Sequence, residues 1–236
     1  MIYVTSDLHG YDWKKFARLL KGAGFGNDDF LFVLGDVIDR NGDGGIEALR
    51  HFMRMPNVQL LRGNHEDMML KCSFILAEVT DALLNSLTPE DMDALNLWLY
   101  NGAQPTINTL NALYREDPDE AFALMDYVRE APLYDSVSLP GGDFILTHAG
   151  LGNFEKDKPL SAYSEHDLIW YRPEPTERFH EDIMTVFGHT PTHYYDSPNR
   201  AFKTDTWIDI DTGAAAGEGN APMLLRLDDM QEFYAV

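Results

Sequence analysis

The chain has 236 residues, of which 44% are hydrophobic and 12% aromatic, so it can bury the core of one large domain or two small ones. Its 39 acidic and 18 basic residues give a formal charge of −21, so we expect neither nucleic acid nor an anionic membrane as a partner. A single cysteine excludes an internal disulfide, and we find neither a signal peptide nor a membrane-spanning apolar run. These features predict a cytoplasmic protein.

The first part of the chain alternates between short apolar runs and helical patterns. Residues 2–5, 30–34 and 58–61 have the length and apolar character of buried strands. Apolar side chains at helical spacing lie between them: Trp13, Phe16, Ala17 and Leu20, followed by Ile46, Leu49 and Met53. Strand, helix, strand, helix, strand is the βαβ pattern of an α/β sheet.

The middle of the chain, residues 67–131, predicts helices throughout. Thr88-Pro89 and Asp117-Pro118 each combine a capping residue with a proline for the first turn, and acidic residues follow, which is typical of a helix start. We interpret the methionine and aromatic residues of this segment as core. The segment is therefore predicted to be a helical insertion that packs against the sheet.

Strand patterns return after residue 131. They cover residues 137–139, 144–147, 184–187, 201–204, 207–210 and 223–227. We find no internal repeat, low-complexity tract or interdomain linker. Residues 1–236 are therefore expected to form a single α/β domain that contains the helical insertion.

Polar residues gather at the ends of five of the apolar runs. They are Asp7-Leu8-His9, Gly35-Asp36-Val37-Ile38-Asp39-Arg40, Gly63-Asn64-His65-Glu66, Thr147-His148 and Gly188-His189. In open α/β sheets, ligands bind beyond the carboxyl ends of the strands, so these side chains are expected to converge. Carboxylate, amide and imidazole donors together suit divalent ions such as Mn²⁺, Fe²⁺ or Zn²⁺. Each motif alone is common in turns and helix caps, but five of them at strand ends are hard to explain in that way.

The order of these motifs resembles that of the calcineurin-like metallophosphoesterases, above all the phosphoprotein phosphatase branch with its small bacterial and phage members. The match is dense over residues 6–66 and rests on His148 and His189 thereafter. Ser6 and Asn41 stand where glycine is usual in the family, and we expect them to alter only local turn geometry. The resemblance implies a calcineurin-like β-sandwich flanked by helices (αββα).

The resemblance also implies a dinuclear metal centre, with Mn²⁺ as the expected ion and Fe²⁺ or Zn²⁺ as alternatives. Six side chains would hold the two ions: Asp7, His9 and Asp36 the first, and Asp36, Asn64, His148 and His189 the second. Asp36 would therefore bridge them. Two ions of this kind can share a hydroxide and clamp a phosphate for in-line attack.

Four further residues receive roles from the resemblance. Arg40 and Arg172 would bind phosphate, because a guanidinium presents a planar fork to phosphate oxygens. His65 would be the general acid, and Asp39 would hold its imidazole in orientation. A structural role is the alternative for His65, and a packed surface residue is the alternative for Arg172. The remaining histidines match no ligand position: His51, His166, His180 and His193.

Three functions remain open from the sequence. A serine/threonine protein phosphatase that acts on a phosphoprotein is favoured by the Gly-His-Thr form of the last motif. A symmetrical diadenosine tetraphosphate hydrolase, or another enzyme of small phosphorylated molecules, would share the same motifs. A non-catalytic scaffold is disfavoured because the complete set of site residues is present. A cysteine phosphatase is set aside, since no arginine closely follows Cys72 to cradle a phosphate.

Overall fold

Two five-stranded sheets pack face to face and carry helices on their outer sides. The structure is a computed structural model and describes residues 1–77 and 80–235. This arrangement of two sheets between helices confirms the predicted αββα fold class.

The first sheet is built around the early part of the chain. It contains β1 (Ile2–Thr5), β2 (Phe30–Val33), β3 (Val58–Leu60), β9 (Met223–Arg226) and β10 (Gln231–Tyr234). The order is β10-β9-β1-β2-β3, in which β1, β2 and β3 are parallel and β9 is antiparallel to both of its neighbours. Thr5 lies opposite Val33, and Val33 lies opposite Leu60, so the three parallel strands end at the same edge.

The second sheet contains the later strands. They are β4 (Tyr134–Leu139), β5 (Gly142–Thr147), β6 (Ile183–Phe187), β7 (Phe202–Lys203) and β8 (Trp207–Asp209), in the order β4-β5-β6-β8-β7. The three inner strands are parallel and the two outer strands are antiparallel to them. The imidazole of His148, just after β5, lies 2.7 Å from the carbonyl oxygen of Leu34, just after β2. Both sheets therefore present strand ends at one place.

Helices connect these strands and cover the sheets. They are α1 (Trp13–Gly22), α2 (Ile46–Arg54), α3 (Asn64–Lys71), α4 (Asp81–Ser86), α5 (Pro89–Tyr100), α6 (Gln104–Glu116), α7 (Pro118–Glu130) and α8 (Glu165–Ile169). Short 3₁₀ helices cover Ser73–Leu76, Leu160–Ala162, Thr192–Tyr195 and Ala214–Ala216. Within residues 1–77 and 80–235, every helix is too short or too polar to span a bilayer.

Three groups of buried apolar side chains hold the layers together. Val4, Phe32, Leu146 and Val186 belong to the group between the two sheets. A larger group joins the outer face of the first sheet to the helices, and its members include Phe16, Leu49, Trp98, Leu110 and Leu124. The third group joins the second sheet to α8 and includes Leu168, Phe187 and Trp207. Burial of apolar area at about 25 cal/mol per Å² is the main favourable term for such layers.

Local capping fixes where the helices of the middle segment begin. The Thr88 hydroxyl accepts a hydrogen bond from the N–H of Asp91 at 3.2 Å, and Pro89 is the first residue of α5. The Asp117 carboxylate accepts from the N–H of Glu120 at 3.0 Å, and Pro118 is the first residue of α7. Both predicted helix starts are confirmed.

The helices of the middle segment are less buried than their composition suggests. Met68, Met125 and Trp98 are buried, but Met92 is 42% exposed and Tyr100 is 90% exposed. The expectation that the methionine and aromatic residues of this segment are core is therefore wrong for α5, of which Trp98 is the buried residue. Residues 78 and 79 of the predicted helical segment lie outside the described residues.

Candidate metal centre

Loops from both sheets meet where the parallel strands end. The loops after β1 and β2 run side by side, because the N–H of Asp7 donates to Gly35 O at 3.1 Å and that of His9 donates to Asp36 O at 2.9 Å. From the second sheet, the N–H of His189 donates to Asp7 Oδ2 at 2.9 Å. The backbone thus brings together motifs that are far apart in the sequence.

Left-handed backbone is concentrated in these loops. Ten non-glycine residues of the described chain have positive φ, and six of them were predicted for the site: Asp7, His9, Asp36, Asp39, Arg40 and His189. This conformation costs L-residues roughly 1–2 kcal/mol each. It persists only where the surrounding structure enforces it, which is common at functional sites.

Asp36 lies at the centre of the cluster and directs one carboxylate oxygen to each half. Its Oδ1 lies 3.3 Å from His148 Nε2, and its Oδ2 lies 3.5 Å from His9 Nε2. Oδ1 also accepts a hydrogen bond from the N–H of His65 at 3.1 Å, which fixes the plane of the carboxylate. Because its two oxygens face two separate imidazoles, Asp36 has the geometry of a bridging ligand.

Main-chain carbonyls orient two of the buried histidines. His9 Nδ1 lies 2.9 Å from Ile38 O, and His148 Nδ1 lies 2.7 Å from Leu34 O. In each ring the Nδ1–H group donates to the carbonyl, so Nε2 keeps a free lone pair in the neutral form. A histidine that ligates a metal usually has this second partner, which fixes its tautomer and its direction.

Two buried polar atoms of the cluster have no hydrogen-bond partner. They are Asp7 Oδ1 and His189 Nε2. The other Asp7 oxygen is satisfied, since it accepts from the Ser6 hydroxyl and from the N–H of His189. A buried polar atom left unpaired costs about 1–3 kcal/mol. A bound cation would satisfy both atoms.

Asn64 is the first residue of α3 and turns its amide into the same space. Its Oδ1 lies 2.9 Å from His148 Nε2. The Nδ1–H group of His148 already donates to Leu34, so in the neutral ring Nε2 and the amide oxygen both present lone pairs. A proton or a cation between them removes this conflict.

Burial and close charges shift the pKa values of these groups. Burial raises the pKa of Asp36, but the imidazoles of His148 and His65 outweigh it and hold that pKa well below its usual value. Burial lowers the pKa of His148, whereas Asp36 raises it, with a net value of about 10. Burial, and then His148 and Arg172, lower the pKa of His189 well below the usual value, so this ring is neutral.

These groups form two adjoining sets of side chains that could each hold a metal ion. In each of two sets the ligand atoms lie within 4.8 Å of one another: His9, Asp36 and His65 in one, and Asp36, His148 and His189 in the other. Asp7 Oδ1 lies 3.7 Å from His9 Nε2 and adds a carboxylate to the first set. Oxygen and imidazole donors in this ratio fit hard or borderline divalent ions.

His65 differs from the other histidines because its Nδ1 meets a carboxylate. Nδ1 lies 2.6 Å from Asp39 Oδ2, and Nε2 lies 3.8 Å from Asp36 Oδ2. The Arg40 Nη2 atom lies 3.4 Å from the same Nε2. Since Asp39 occupies Nδ1, Nε2 is the His65 nitrogen that faces the cluster.

Two exposed guanidinium groups stand at the rim of the cluster. Arg40 directly follows Asp39, and its backbone N–H donates to Gly102 O at 2.9 Å. Arg172 Nη1 donates to His189 O at 3.0 Å, which places this arginine beside the last motif. Both can therefore meet an anion that arrives from solvent.

The structure brings the residues predicted for the site into one cluster. They are Asp7, His9, Asp36, Asp39, Arg40, Asn64, His65, His148, Arg172 and His189. The remaining histidines lie outside the two sets of potential ligands: His51, His166, His180 and His193. His51, for example, stacks on Trp13 with the ring centroids 4.1 Å apart.

Glu66 supports the site, although no role was predicted for it. Its buried carboxylate accepts from the N–H groups of Asp36 at 2.8 Å, Val37 at 2.8 Å and Gly63 at 3.0 Å. It ties the loop after β2 to the start of α3. Its place in Gly63-Asn64-His65-Glu66 is the signal by which it could have been found.

Trp98 and Thr106 were also missed. Trp98 Nε1 donates to Asp39 Oδ2 at 2.7 Å, and the Thr106 hydroxyl donates to Asp39 Oδ1 at 2.5 Å. Both side chains come from the middle helices and are fully buried. Spacing alone does not distinguish them from ordinary core residues.

Ser6 and Asn41 act beyond local turn geometry, so that expectation needs correction. The Ser6 hydroxyl donates to Asp7 Oδ2, a carboxylate of the cluster. Asn41 Nδ2 donates to Ala214 O at 3.2 Å and lies 3.3 Å from Ala215 O, so it joins the loop after β2 to the loop after β8.

The fold and the cluster together define a class of enzyme. The profile of the Calcineurin-like phosphoesterase family matches residues 1–211. The chain belongs to this family, as its resemblance to the metallophosphoesterases predicted. It is therefore a metallophosphoesterase, with aspartate and histidine groups that could bind metal ions.

Two curated relatives carry different names. A symmetrical bis(5'-nucleosyl)-tetraphosphatase from Acidovorax sp. is 28% identical over 192 residues, which are 80% of this chain and 57% of that protein. Serine/threonine-protein phosphatase 1 from Salmonella typhimurium is 28% identical over 228 residues, which are 92% of this chain and 88% of that protein. The chain thus spans little more than half of the tetraphosphatase but most of the protein phosphatase.

Solved structures share the fold at low sequence identity. The crystal structure of a candidate diadenosine tetraphosphatase has a TM-score of 0.64 and 14% identity, covering 98% of this chain and 90% of that chain. A protein serine/threonine phosphatase from Saccharomyces cerevisiae has a TM-score of 0.57 and 15% identity, covering 100% of this chain and 80% of that chain. At such identity the likeness shows the fold alone.

Proposed function

We propose that this protein is a dinuclear-metal phosphomonoesterase that hydrolyses phosphoserine and phosphothreonine in proteins, with Mn²⁺ as its working ion. The observation that carries the proposal is the buried His65–Asp39 pair, 2.6 Å between Nδ1 and Oδ2, at the edge of the aspartate and histidine cluster. A serine alkoxide is a poor leaving group, so its departure needs a positioned proton donor. His65 is that donor in this proposal.

The metal ligands in this proposal are the six side chains of the cluster: Asp7, His9, Asp36, Asn64, His148 and His189. When bound, two divalent ions supply hydroxide at neutral pH and neutralise charge on the phosphoryl group. The unpaired Asp7 Oδ1 and His189 Nε2 support this assignment, because a cation satisfies both.

The other residues bind the phosphate and handle the proton. Arg40 and Arg172 receive the phosphate oxygens, since both guanidinium groups are exposed beside the cluster. His65 Nε2 gives a proton to the departing alkoxide. Asp39 holds the imidazole by Nδ1, so that Nε2 points toward Asp36.

A covalent route through the cysteine is disfavoured by its surroundings. Cys72 is fully buried, and burial raises the pKa of its thiol to about 11. The thiol is therefore protonated at neutral pH and is a poor nucleophile. Direct transfer of the phosphoryl group to water is the proposed course.

A second candidate is symmetrical hydrolysis of diadenosine tetraphosphate, which the name of the Acidovorax relative suggests. Two observations favour the phosphoprotein. The leaving group from an anhydride is a stable phosphate, so a general acid helps it less than it helps an alkoxide. The formal charge of −21 also repels a polyanionic dinucleotide more than a phosphoserine within a peptide.

The test is a side-by-side assay of both substrates after chelation and reconstitution with Mn²⁺. Initial rates are measured on a phosphoserine peptide, by phosphate release, and on diadenosine tetraphosphate, by chromatography of the nucleotides. We expect kcat/KM for the peptide to exceed that for the dinucleotide. ADP as the main product, with little phosphate released from the peptide, would establish the second candidate instead.

The controls for this assay are one variant outside the cluster and one variant within it. His193→Asn changes an exposed histidine outside the cluster and should leave both rates unchanged. Asp36→Asn removes the proposed bridging carboxylate and should abolish both activities. Full activity of the chelated wild type, with no metal found by elemental analysis, would refute the metal centre.

A further inference from the structure

Asp39 is held by donors that come from the middle helices. Its side chain is fully buried, and its Oδ2 accepts from His65 Nδ1 at 2.6 Å and from Trp98 Nε1 at 2.7 Å. Its Oδ1 accepts from the Thr106 hydroxyl at 2.5 Å. Thr106 is engaged twice, because its hydroxyl oxygen also accepts from the backbone N–H of Asp39 at 3.0 Å.

This pattern fixes the carboxylate in one orientation. A carboxylate on a free side chain rotates, and a buried one needs donors to replace water. Thr106 donates to Oδ1, whereas Trp98 and His65 both donate to Oδ2. Rotation about the Cβ–Cγ bond of Asp39 would therefore break hydrogen bonds on both oxygens. The direction of His65 is therefore set by two residues that do not touch it through a hydrogen bond.

The two donors lie at the junction of α5 and α6. Trp98 is the buried residue of α5, in a helix that otherwise leaves Met92 and Tyr100 exposed. Thr106 lies in the first turn of α6. Between them, Gly102 O accepts the backbone N–H of Arg40 at 2.9 Å. The α5–α6 corner thus contacts both the partner of His65 and the neighbouring arginine.

We propose that Trp98 and Thr106 are positioning residues, which set the efficiency of proton donation by His65 through their hold on Asp39. This inference rests on the proposed function, in which His65 protonates the leaving group. It gives the helical segment a part in catalysis rather than in packing alone. Hydrolysis of a substrate whose leaving group must be protonated would depend on Trp98 and Thr106. Hydrolysis of a substrate with a good leaving group would not.

The experiment measures the dependence of kcat on the leaving group. Trp98→Phe keeps a buried aromatic ring but deletes the N–H donor, and Thr106→Val keeps the shape but deletes the hydroxyl. Rates are taken on a phosphoserine peptide and on 4-nitrophenyl phosphate, with KM and bound metal measured for each variant. We expect each variant to lower kcat on the peptide about 10-fold, the size of one lost hydrogen bond to a charged group. The loss on the aryl ester should be clearly smaller, and KM and metal content should not change.

Matched substitutions separate this role from general damage. Trp207, in β8 of the second sheet, is also fully buried, and its Nε1 donates to Glu177 O at 3.0 Å. Trp207→Phe removes the same kind of donor, and any decrease in kcat that it causes should be equal on both esters. Thr106→Ser restores the hydroxyl and should restore the rate on the peptide.

The outcomes distinguish a failure of the positioning role of Trp98 and Thr106 from a failure of the proposed acid role of His65. If His65→Asn loses more activity on the peptide than on the aryl ester, while Trp98→Phe and Thr106→Val lose the same on both, the positioning role is overturned and the acid role stands. If His65→Asn itself shows no difference between the esters, the proposed role of His65 has failed. A peptide-specific loss in the two variants that disappears in an Asp39→Ala background supports the proposal, because residues that act through one partner are not additive.

Discussion

The partner of Nδ1 separates two kinds of buried histidine in this site. A carbonyl oxygen faces Nδ1 of His9 and His148, whereas the carboxylate of Asp39 faces Nδ1 of His65. A carbonyl that accepts from Nδ1–H fixes the direction of the ring, so that Nε2 is the ring nitrogen that can meet a cation. At His65 the carboxylate of Asp39 fixes the ring instead, and Nε2 faces Asp36 and Arg40.

This contrast predicts different effects for two substitutions of the same type. His148→Asn should lower bound metal, because it deletes a proposed ligand. His65→Asn should keep the metal but reduce kcat on a phosphoserine peptide by about 10²–10⁴, the range for a positioned general acid. Elemental analysis and steady-state rates on the two purified variants measure both effects.

The opposite assignment would give a clear result. Loss of one metal ion in His65→Asn would show that His65 is a ligand. This outcome is a real alternative, because His65 belongs to one of the two sets of potential ligands. An unchanged metal content in His148→Asn would show that His148 is not a metal ligand.

The sequence predicted the cluster well because its residues sit in short motifs at strand ends. Asp7 and Asp36 could be placed together from the rule that parallel strands end at one edge. Trp98 and Thr106 could not, because their contact with Asp39 depends on how α5 and α6 dock. No local spacing encodes a contact between helices that lie so far along the chain from their partner.

At the scale of elements, α6 docks on a turn that only glycine can form. Gly44 has a φ of +72°, and a Cβ atom there would lie 2.3 Å from the backbone nitrogen of Thr106 and 2.5 Å from its hydroxyl. The turn therefore combines a left-handed backbone with direct contact to the start of the helix. Any side chain would push α6 away from Asp39.

This docking predicts that Gly44→Ala is more damaging than its backbone conformation alone explains. We expect the free energy of unfolding to fall by about 3 kcal/mol or more, because the left-handed conformation and overpacking both contribute. The matched control is Gly24→Ala, since Gly24 has a φ of +81° with nothing within 4 Å of an added Cβ. The free energy of unfolding of Gly24→Ala should fall by only about 1–2 kcal/mol, which is the cost of the left-handed backbone alone.

Urea unfolding of the two alanine variants measures the difference. Equal midpoints for the two would show that the contact between Gly44 and Thr106 adds nothing to stability. A lower midpoint for Gly44→Ala assigns the excess to the docking of α6.

The elements themselves were predictable to the extent that they are apolar. The inner strands of both sheets lie close to their predicted bounds, because each is a continuous apolar run. β10 (Gln231–Tyr234) was not predicted, since this edge strand is partly exposed and carries no such run. The exposure of α5 was also missed, because its apolar residues extend around the whole helix rather than along one face.

At the scale of the whole molecule, the cluster adds buried acidic groups to a protein that is already strongly acidic. The formal charge is −21, and Asp7, Asp36 and Asp211 are all buried near one another. Burial, and then the Asp7 carboxylate, raise the pKa of Asp211 to about 8. Divalent cations would relieve this repulsion, so folding and metal binding are expected to be coupled.

This coupling predicts a metal-dependent melting temperature. A ligand at 100 times its Kd stabilises the native state by about 2.7 kcal/mol, which is about 5–11 °C for a chain of this size. Thermal unfolding of the wild type, with Mn²⁺ or with a chelator, measures the shift. Asp36→Asn should lose the shift, because it removes the proposed shared ligand.

A surface variant provides the charge control. Asp126→Asn also removes one acidic group, but from an exposed position on α7, and should keep the full shift. An identical shift in the wild type and in Asp36→Asn would mean that Mn²⁺ acts on the general charge of the molecule rather than at the cluster.

The joining of both sheets in one site also has a consequence for biosynthesis. A ribosome makes Asp7 and His9 long before His189, since His189 follows Asp7 by 182 residues. β9, which pairs with β1 beside the cluster, follows later still. A nascent chain therefore carries an incomplete set of the proposed ligands until His189 has been made. The proposed hydrolysis would therefore require a chain that has been made and folded through the second sheet, at least as far as His189.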